Sequence, residues 1–497
     1  MGHGSVRGVS DRETWDVIVV GGGPPGENAA QYAIEGSDRT AVIVEKELVG
    51  GECSYWACVP SKALLRPVEA VDAAKALPGT RGATIDVEAA LKRRDYFAGH
   101  DDTSQVEWAR SVGIDVVRGR GRVSGEREIT VTGSDGGPAG AASSGGGERV
   151  LRARHAVVLA TGTTAAVPDV PGLRDARPWI SRDVTNLHEV PASVAIVGGG
   201  VVACEAAVWL RAFGAEVTML VRGNALLEKN EPWAGALVAE RFAELGIDVR
   251  FGASLTRASR PGVADTGEGH VHGGPVEMTV DGESLTVAEV VVAAGRVPAS
   301  AGLGLPDHVI ERGYVPVDDH LSVPGYDWLY AVGDLNGRAL LTHMGKYQAR
   351  IAGAVIGARA EGRPLDGPQY LDLADHDKVP QVVFCDPQVA AVGITAAQAR
   401  HRGLDVETVE YDLGHVTGAS LQRDGYKGRA ALVIDASRDV LVGATFVGPD
   451  VAELVHAATV AVVGAVPLST LWHAVPSFPT VSEIWLRLLE TRGKVPK

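Results

Sequence analysis

An α/β chain with two βαβ units and a closing α+β domain is what the sequence predicts, and three observations predict it. A β-branched apolar run at residues 16–20 leads at once into Gly21, Gly22 and Gly23, then an Ala-rich stretch, 28–34, and a second apolar run, 41–44. The same order of strand, glycine turn, helix and strand returns at residues 193–197, at Gly198, Gly199 and Gly200, in an Ala-rich stretch through Ala212, and at 216–221. From residue 379 the pattern changes to strand-like runs about 8 to 12 residues apart, with helical stretches at 451–463 and 481–489.

Length and composition bound the function. A chain of 497 residues holds roughly three domains at about 150 residues each. Its 47 Lys and Arg against 62 Asp and Glu leave a formal charge of −15, with no basic block, so a nucleic-acid partner is not expected. The 62 glycines demand many tight turns or close backbone approaches, for which nucleotide cofactors are candidate ligands. Apolar runs are short, and the most apolar late stretch, 451–468, is broken by Glu453 and His456, so no membrane association is expected. Residues 1–14 are polar, with Asp11 and Glu13, so neither a signal nor a transit peptide is read there; a cytoplasmic protein with a frayed N-terminus is expected.

Two Gly, Ser and Pro-rich segments punctuate this plan. Residues 133–147, between candidate strands 113–123 and 150–160, are expected to form a disordered hairpin tip, because they cannot bury enough apolar surface to offset ordering entropy. Residues 259–275 are expected as a loop decorating the second unit.

Gly21, Gly23 and Gly26 have GxGxxG spacing directly after a strand, and Glu45 stands 19 residues past Gly26 at the end of the next strand. Glycines let backbone approach a pyrophosphate, the helix N-terminus offers free N–H groups and a positive dipole, and the carboxylate takes ribose hydroxyls. Pro24 and Pro25 are tolerated because the first helical turn needs no N–H donors. The second unit reads Gly198, Gly200, Ala203, and its strand runs out through Val221 into Arg222, with no acid for a ribose. Arg222 suits a 2′-phosphate, which favours NADPH over NADH; a solvated surface arginine is the plainer alternative. Two dinucleotide sites in one chain imply electron transfer between two cofactors.

Cys53 and Cys58 lie in the run Gly50-Gly51-Glu52-Cys53-Ser54-Tyr55-Trp56-Ala57-Cys58-Val59-Pro60-Ser61-Lys62. Their spacing suits two buried thiols one helical turn apart, but beside two nucleotide units a redox-active pair is the better reading. Zinc is not expected, since Cys204 and Cys385 stand alone in sequence and no histidine has ligand spacing; both are read as inert core residues. Tyr55 and Trp56 suit either core packing or stacking on a planar substrate.

With these motifs in this order, the chain resembles the flavoprotein disulfide reductases, the family of glutathione reductase, dihydrolipoamide dehydrogenase and mercuric reductase. The resemblance runs from about Trp15 to Leu489. It implies two Rossmann-like dinucleotide-binding domains plus a C-terminal α+β dimerisation domain: FAD domain at 15–165, NADPH domain at 166–295, the FAD domain resumed at 296–376, and a dimerisation domain at 377–497 of a homodimer. It implies FAD in the first unit, with Gly51 among the residues around it, Cys53 as the thiol that attacks substrate, and Cys58 as the thiol over the flavin. Lys62 matches the lysine near flavin N5, and Glu205 its ion-pair partner. Gly121 falls where the family touches adenine, and Ala160-Thr161-Gly162 matches the strand closing the FAD domain. Gly295-Arg296-Val297-Pro298 resembles the end of the NADPH domain. Gly333-Asp334 resembles the motif holding the ribityl chain, and His343 follows along the flavin.

The pattern breaks near the C-terminus. Disulfide-reducing members of the family carry a histidine before Pro-Thr and a glutamate five residues beyond it, where the imidazole shuttles a proton to the leaving thiolate. Here Phe478 precedes Pro479 and Thr480, leaving Glu483 without its usual client; His473 is a candidate substitute. Mercuric reductase also lacks that histidine but needs a C-terminal cysteine pair, and no cysteine follows Cys385. The expected function is hydride transfer from NADPH through FAD to a Cys53/Cys58 disulfide and on to a small disulfide or quinone-like acceptor. The alternatives are a quinone or dye reductase with vestigial cysteines and a non-catalytic flavoprotein subunit.

Overall fold

The computed structural model describes residues 13–133 and 147–493, in two compact units. The first takes the chain up to Cys53, His100–Thr164 and Val297–Leu373. Its seven-stranded sheet centres on Thr14–Val20, flanked in parallel by Ala41–Glu45 and then Ile114–Arg118 on one side and by Arg149–Leu159 on the other. Leu329–Ala331 also pairs in parallel with Arg149–Leu159, whereas Glu128–Thr132 and Arg120–Gly125 extend the sheet antiparallel. Residues 15–20 are all buried, as parallel strands covered on both faces must be. Val17 and Val19 pack with the helices Pro24–Ile34 and Thr342–Ala360, while Ile18 and Val20 face the layer containing Val315 and Trp328.

The expected strand 113–123 is two strands, parted at Gly119, whose φ of +147° and N–H to Glu45 O turn the chain. Residues 1–12 and 134–146, where a frayed terminus and a hairpin tip were expected, lie outside the described residues.

The second unit takes Ser54–Gly99, Ala165–Arg296 and the chain from Ala374 onward. A four-stranded parallel sheet has the order Asp248–Phe251, Glu216–Val221, Ser193–Val197, Glu289–Val292. A three-stranded antiparallel sheet, Leu255–Ser259, Val276–Val280 and Glu283–Val287, makes residues 260–275 the connection of a hairpin. A five-stranded antiparallel sheet runs Pro380–Val383, Gln388–Gly393, Val440–Gly448, Arg429–Asp435, Val406–Asp412. Around it the α-helices are Ala396–His401, Thr417–Gln422, Leu454–Val463, Leu468–Leu471 and Ile484–Arg492, more than the two expected. The additional ones span fewer than two turns, too short to repeat an apolar face. Val451–Glu453 and Val481–Glu483 are 3₁₀ turns leading into the expected helices, and Gly493 ends the last with φ +68°. Among the described residues no helix is long and apolar enough to cross a membrane.

Candidate active site

In the first unit the glycine turn is shaped by backbone contact. A Cβ on Gly21, whose φ is +104°, would lie 2.4 Å from Ala160 O, and one on Gly26 would lie 1.9 Å from Gly21 O. Gly23 caps the helix Pro24–Ile34 without any side-chain hydrogen bond, and Pro24 and Pro25 fill its first turn. The turn therefore ends in an uncapped helix N-terminus, a place for an anion. Gly51, with φ +56°, would set a Cβ 2.8 Å from Gly23 Cα, so the next turn closes on the first. Glu45 ends its strand buried, its Oε2 accepting from Gly22 N at 2.6 Å and its Oε1 from Glu47 N at 2.7 Å. Burial pushes this carboxyl upward against those two N–H donors.

The other first-unit residues close the same sheet end. Thr161 Oγ1 donates to Ala299 O at 2.9 Å, and Gly162 O accepts from Ala299 N at 3.0 Å. Thr163 Oγ1 donates to Asp334 Oδ2 at 2.7 Å in the 3₁₀ turn Gly333–Asn336, and Gly333 N donates to Gln348 Oε1 at 2.9 Å. His343 stands in the first turn of Thr342–Ala360. Gly121 is packed within its strand, where a Cβ would lie 3.1 Å from Val20 and Val44. An uncapped glycine cradle, a buried strand-end carboxylate and Asp334 fit a flavin dinucleotide.

Glu27, directly after Gly26, carries no signal in the sequence pattern but stands in the first turn of the helix Pro24–Ile34. It is half-buried, and desolvation pushes its carboxyl up to about 7 despite the opposing charge of Lys346. The folded state then binds more protons than the unfolded one between pH 4.5 and about 7, so stability is lost as pH rises through that window. Glu27→Gln is expected to remove this slope and to be more stable above pH 7 by about 3 kcal/mol. Urea titrations of both proteins at pH 5 and pH 8 check it; equal differences at the two pH values would refute it.

In the second unit Gly198, at φ +137°, would set a Cβ 2.4 Å from Ala293 O, and Gly200 caps Val201–Ala212 without a side-chain bond. Ala203 is buried in that helix's first turn. Arg222 is exposed, just past its strand. Glu228 reaches back to Gly223, where an added Cβ would lie 1.8 Å from its Oε1, so a carboxylate stands near the strand end after all. Sequence spacing hid it because the loop folds back. Gly295 has φ +120°, its O accepts from Ala166 N, and Arg296 opens the strand Arg296–Pro298.

Cys53 and Cys58 do not share a helix. Cys53 lies in Gly51–Tyr55, and Cys58 is the first residue of Cys58–Lys75. The plainer alternative, two buried thiols one helical turn apart, does not describe them: Trp56 and Ala57 break the helix, and both thiols are partly exposed. Cys58 thus stands at a helix N-terminus, the positive end of the helix dipole. One turn on, Lys62 Nζ lies 2.7 Å from Glu205 Oε2 and 4.7 Å from the Phe384 ring centre. Glu205 is buried, and its Oε1 accepts from Phe384 N at 2.9 Å. Cys204 and Cys385 are buried, which pushes both thiols up, and a charge on Cys204 would raise Cys385 further. Glu483 is buried in the turn Val481–Glu483, its Oε2 without a partner among the described residues. Phe478 is 72% exposed and His473 is exposed.

Two glycine-turn nucleotide units and a cysteine-headed helix whose lysine pairs with a buried glutamate define a redox enzyme that works with nucleotide cofactors. The chain belongs to the pyridine nucleotide-disulphide oxidoreductase family, whose model matches residues 15–354, and its dimerisation domain matches residues 379–488. Among its relatives, the dihydrolipoyl dehydrogenase of Chlorobaculum tepidum is 31% identical over 483 residues, covering 94% of this chain and 95% of that protein. The glutathione reductase of Burkholderia cepacia is 28% identical over 499 residues, covering 96% and 99%. In fold, the chain is similar to the HOCl-induced flavoprotein disulfide reductase RclA from Escherichia coli, with a TM-score of 0.78 and 24% identity over 96% of this chain and 99% of that one. It is likewise similar to LpdA from Mycobacterium tuberculosis, with a TM-score of 0.79 and 22% identity over 95% and 99%.

Proposed function

We propose that the protein is an NADPH-dependent, FAD-holding oxidoreductase that passes electrons through Cys53 and Cys58 to a small disulfide or quinone-like acceptor. The observation that carries this reading is Cys58 heading the helix on which Lys62 is held by buried Glu205. In this reading the domains divide at 15–165, 166–295, 296–376 and 377–497, and the last pairs two copies. The exposed Leu421, Val460, Val463, Val475 and Phe478 of that domain support a homodimer.

Glu45, Asp334 and the turn around Gly21, Gly23, Gly26 and Gly51 would hold FAD; Gly198, Gly200, Ala203 and Arg222 would hold the nicotinamide dinucleotide. Bound, FAD supplies a two-electron relay between nicotinamide and thiols. Glu205 fixes the Lys62 ammonium, a positive charge that favours negative charge developing beside it. The Cys53 thiolate attacks one sulfur of an acceptor disulfide, whose S–S bond breaks and one thiolate leaves. Cys58 then attacks Cys53, re-forming the protein disulfide and expelling the second thiolate, and water protonates both leaving groups.

Stopped-flow mixing with NADPH tests the reading. A long-wavelength absorbance band is expected in the native enzyme and not in Cys58→Ser. Reduction without the band would leave the cysteines vestigial and favour direct quinone reduction.

A further inference from the structure

The hairpin connection 260–275 does more than decorate its unit. Arg260 is buried and donates to buried Glu289. Gly269 N donates to Asp183 Oδ1 at 3.1 Å, and Gly269 O accepts from His188 N at 3.0 Å. The His188 and His270 rings stack with centres 4.4 Å apart, and Trp179 Nε1 donates to His270 O at 2.8 Å. Held this way, the loop delivers Glu268, whose Oε1 accepts from Trp56 Nε1 and from Asn186 Nδ2, both at 3.0 Å.

Trp56 belongs to the break between the two cysteine-bearing helices. Its neighbour Ala57 caps Cys58–Lys75 with no side-chain bond, its O accepting from Ser61 N at 3.0 Å. Residues distant in sequence also hold it: Thr185 Oγ1 donates to Trp56 O at 2.9 Å, Asn186 Nδ2 to Tyr55 O at 3.2 Å, and the Arg182 guanidinium covers the indole face at 4.0 Å. Trp56 is 7% exposed, and with Arg182 on its ring it offers no open face for a planar substrate.

We propose that Glu268 is a positioning residue for the Cys53/Cys58 pair, holding through the indole of Trp56 the turn that joins their helices. The proposal rests on the reading of these cysteines as the redox pair. A carboxylate accepting from a buried indole N–H is a charge-assisted bond, and the turn must open and close its disulfide without losing its place.

The test uses the full-length enzyme reduced with dithiothreitol, freed of reductant and treated with iodoacetamide, each thiol being followed by peptide mass spectrometry. In Glu268→Ala and Trp56→Phe, alkylation at Cys53 and Cys58 is expected to accelerate about tenfold. Cys204 and Cys385 are expected to stay unreactive, and the melting temperature to stay close to that of the parent. Glu268→Gln, whose amide oxygen can still accept from Trp56, is expected to behave as the parent enzyme. Unchanged rates in both disrupting variants would overturn the proposal, and so would equal acceleration at all four thiols, which marks general loosening. A separate control keeps the two readings apart: if Cys53 and Cys58 alkylate fully in air-oxidised enzyme that has met no reductant, the redox-pair reading fails, whatever the loop variants do.

Discussion

Reoxidation of the reduced enzyme by a simple dialkyl disulfide is expected to be about 10² to 10⁴-fold slower than in a relative with an imidazole at the position of Phe478, the usual contribution of general acid catalysis. A phenyl ring transfers no proton, and Phe478 lies exposed at 72%. Glu483, five residues on, is buried with Oε2 unpartnered among the described residues, an acceptor without a donor. The half-reactions should therefore separate. Reduction by NADPH needs no acid at that position and should be fast, whereas reoxidation should be slow with glutathione or lipoamide disulfides and fast with quinones. Phe478→His should raise disulfide turnover by giving Glu483 a ring to orient, and should leave reduction by NADPH nearly unchanged. Stopped-flow traces of each half-reaction check this. Efficient turnover of glutathione or lipoamide disulfide by the unaltered enzyme would overturn it and point to His473, whose replacement by Ala should then abolish the activity.

The second large effect is in coenzyme choice. A guanidinium meeting a 2′-phosphate forms a charge-assisted contact of about 1.5 to 3 kcal/mol, so NADPH is expected to exceed NADH in kcat/KM by roughly 10 to 150-fold. Arg222 is exposed and ready to meet such a group. Glu228, folded back beside Gly223, is the competing group, since a carboxylate there suits ribose hydroxyls and repels a phosphate. Arg222→Ala should erase the preference, and Glu228→Ala should widen it by lowering turnover with NADH. Equal kcat/KM for both coenzymes in the unaltered enzyme would refute the assignment of Arg222 and give the ribose to Glu228.

Features set by local chemistry can be read from the amino acids alone. Two strand, glycine-turn and helix units were legible because positive φ at Gly21 and Gly198, apolar runs and the prolines of a first helical turn are decided within a few residues. Glu45 was legible for the same reason, standing where its strand ends. The Lys62–Glu205 pair, 143 residues apart in the chain, was reachable only through the family resemblance. Packing set the rest. It broke the helix between Cys53 and Cys58, took Glu27 partly out of water, folded Glu228 back toward the end of its strand, and turned a Gly-rich connection into the holder of Trp56. Each of these depends on burial or on a hydrogen-bond partner distant in sequence, and neither quantity exists until the chain has packed.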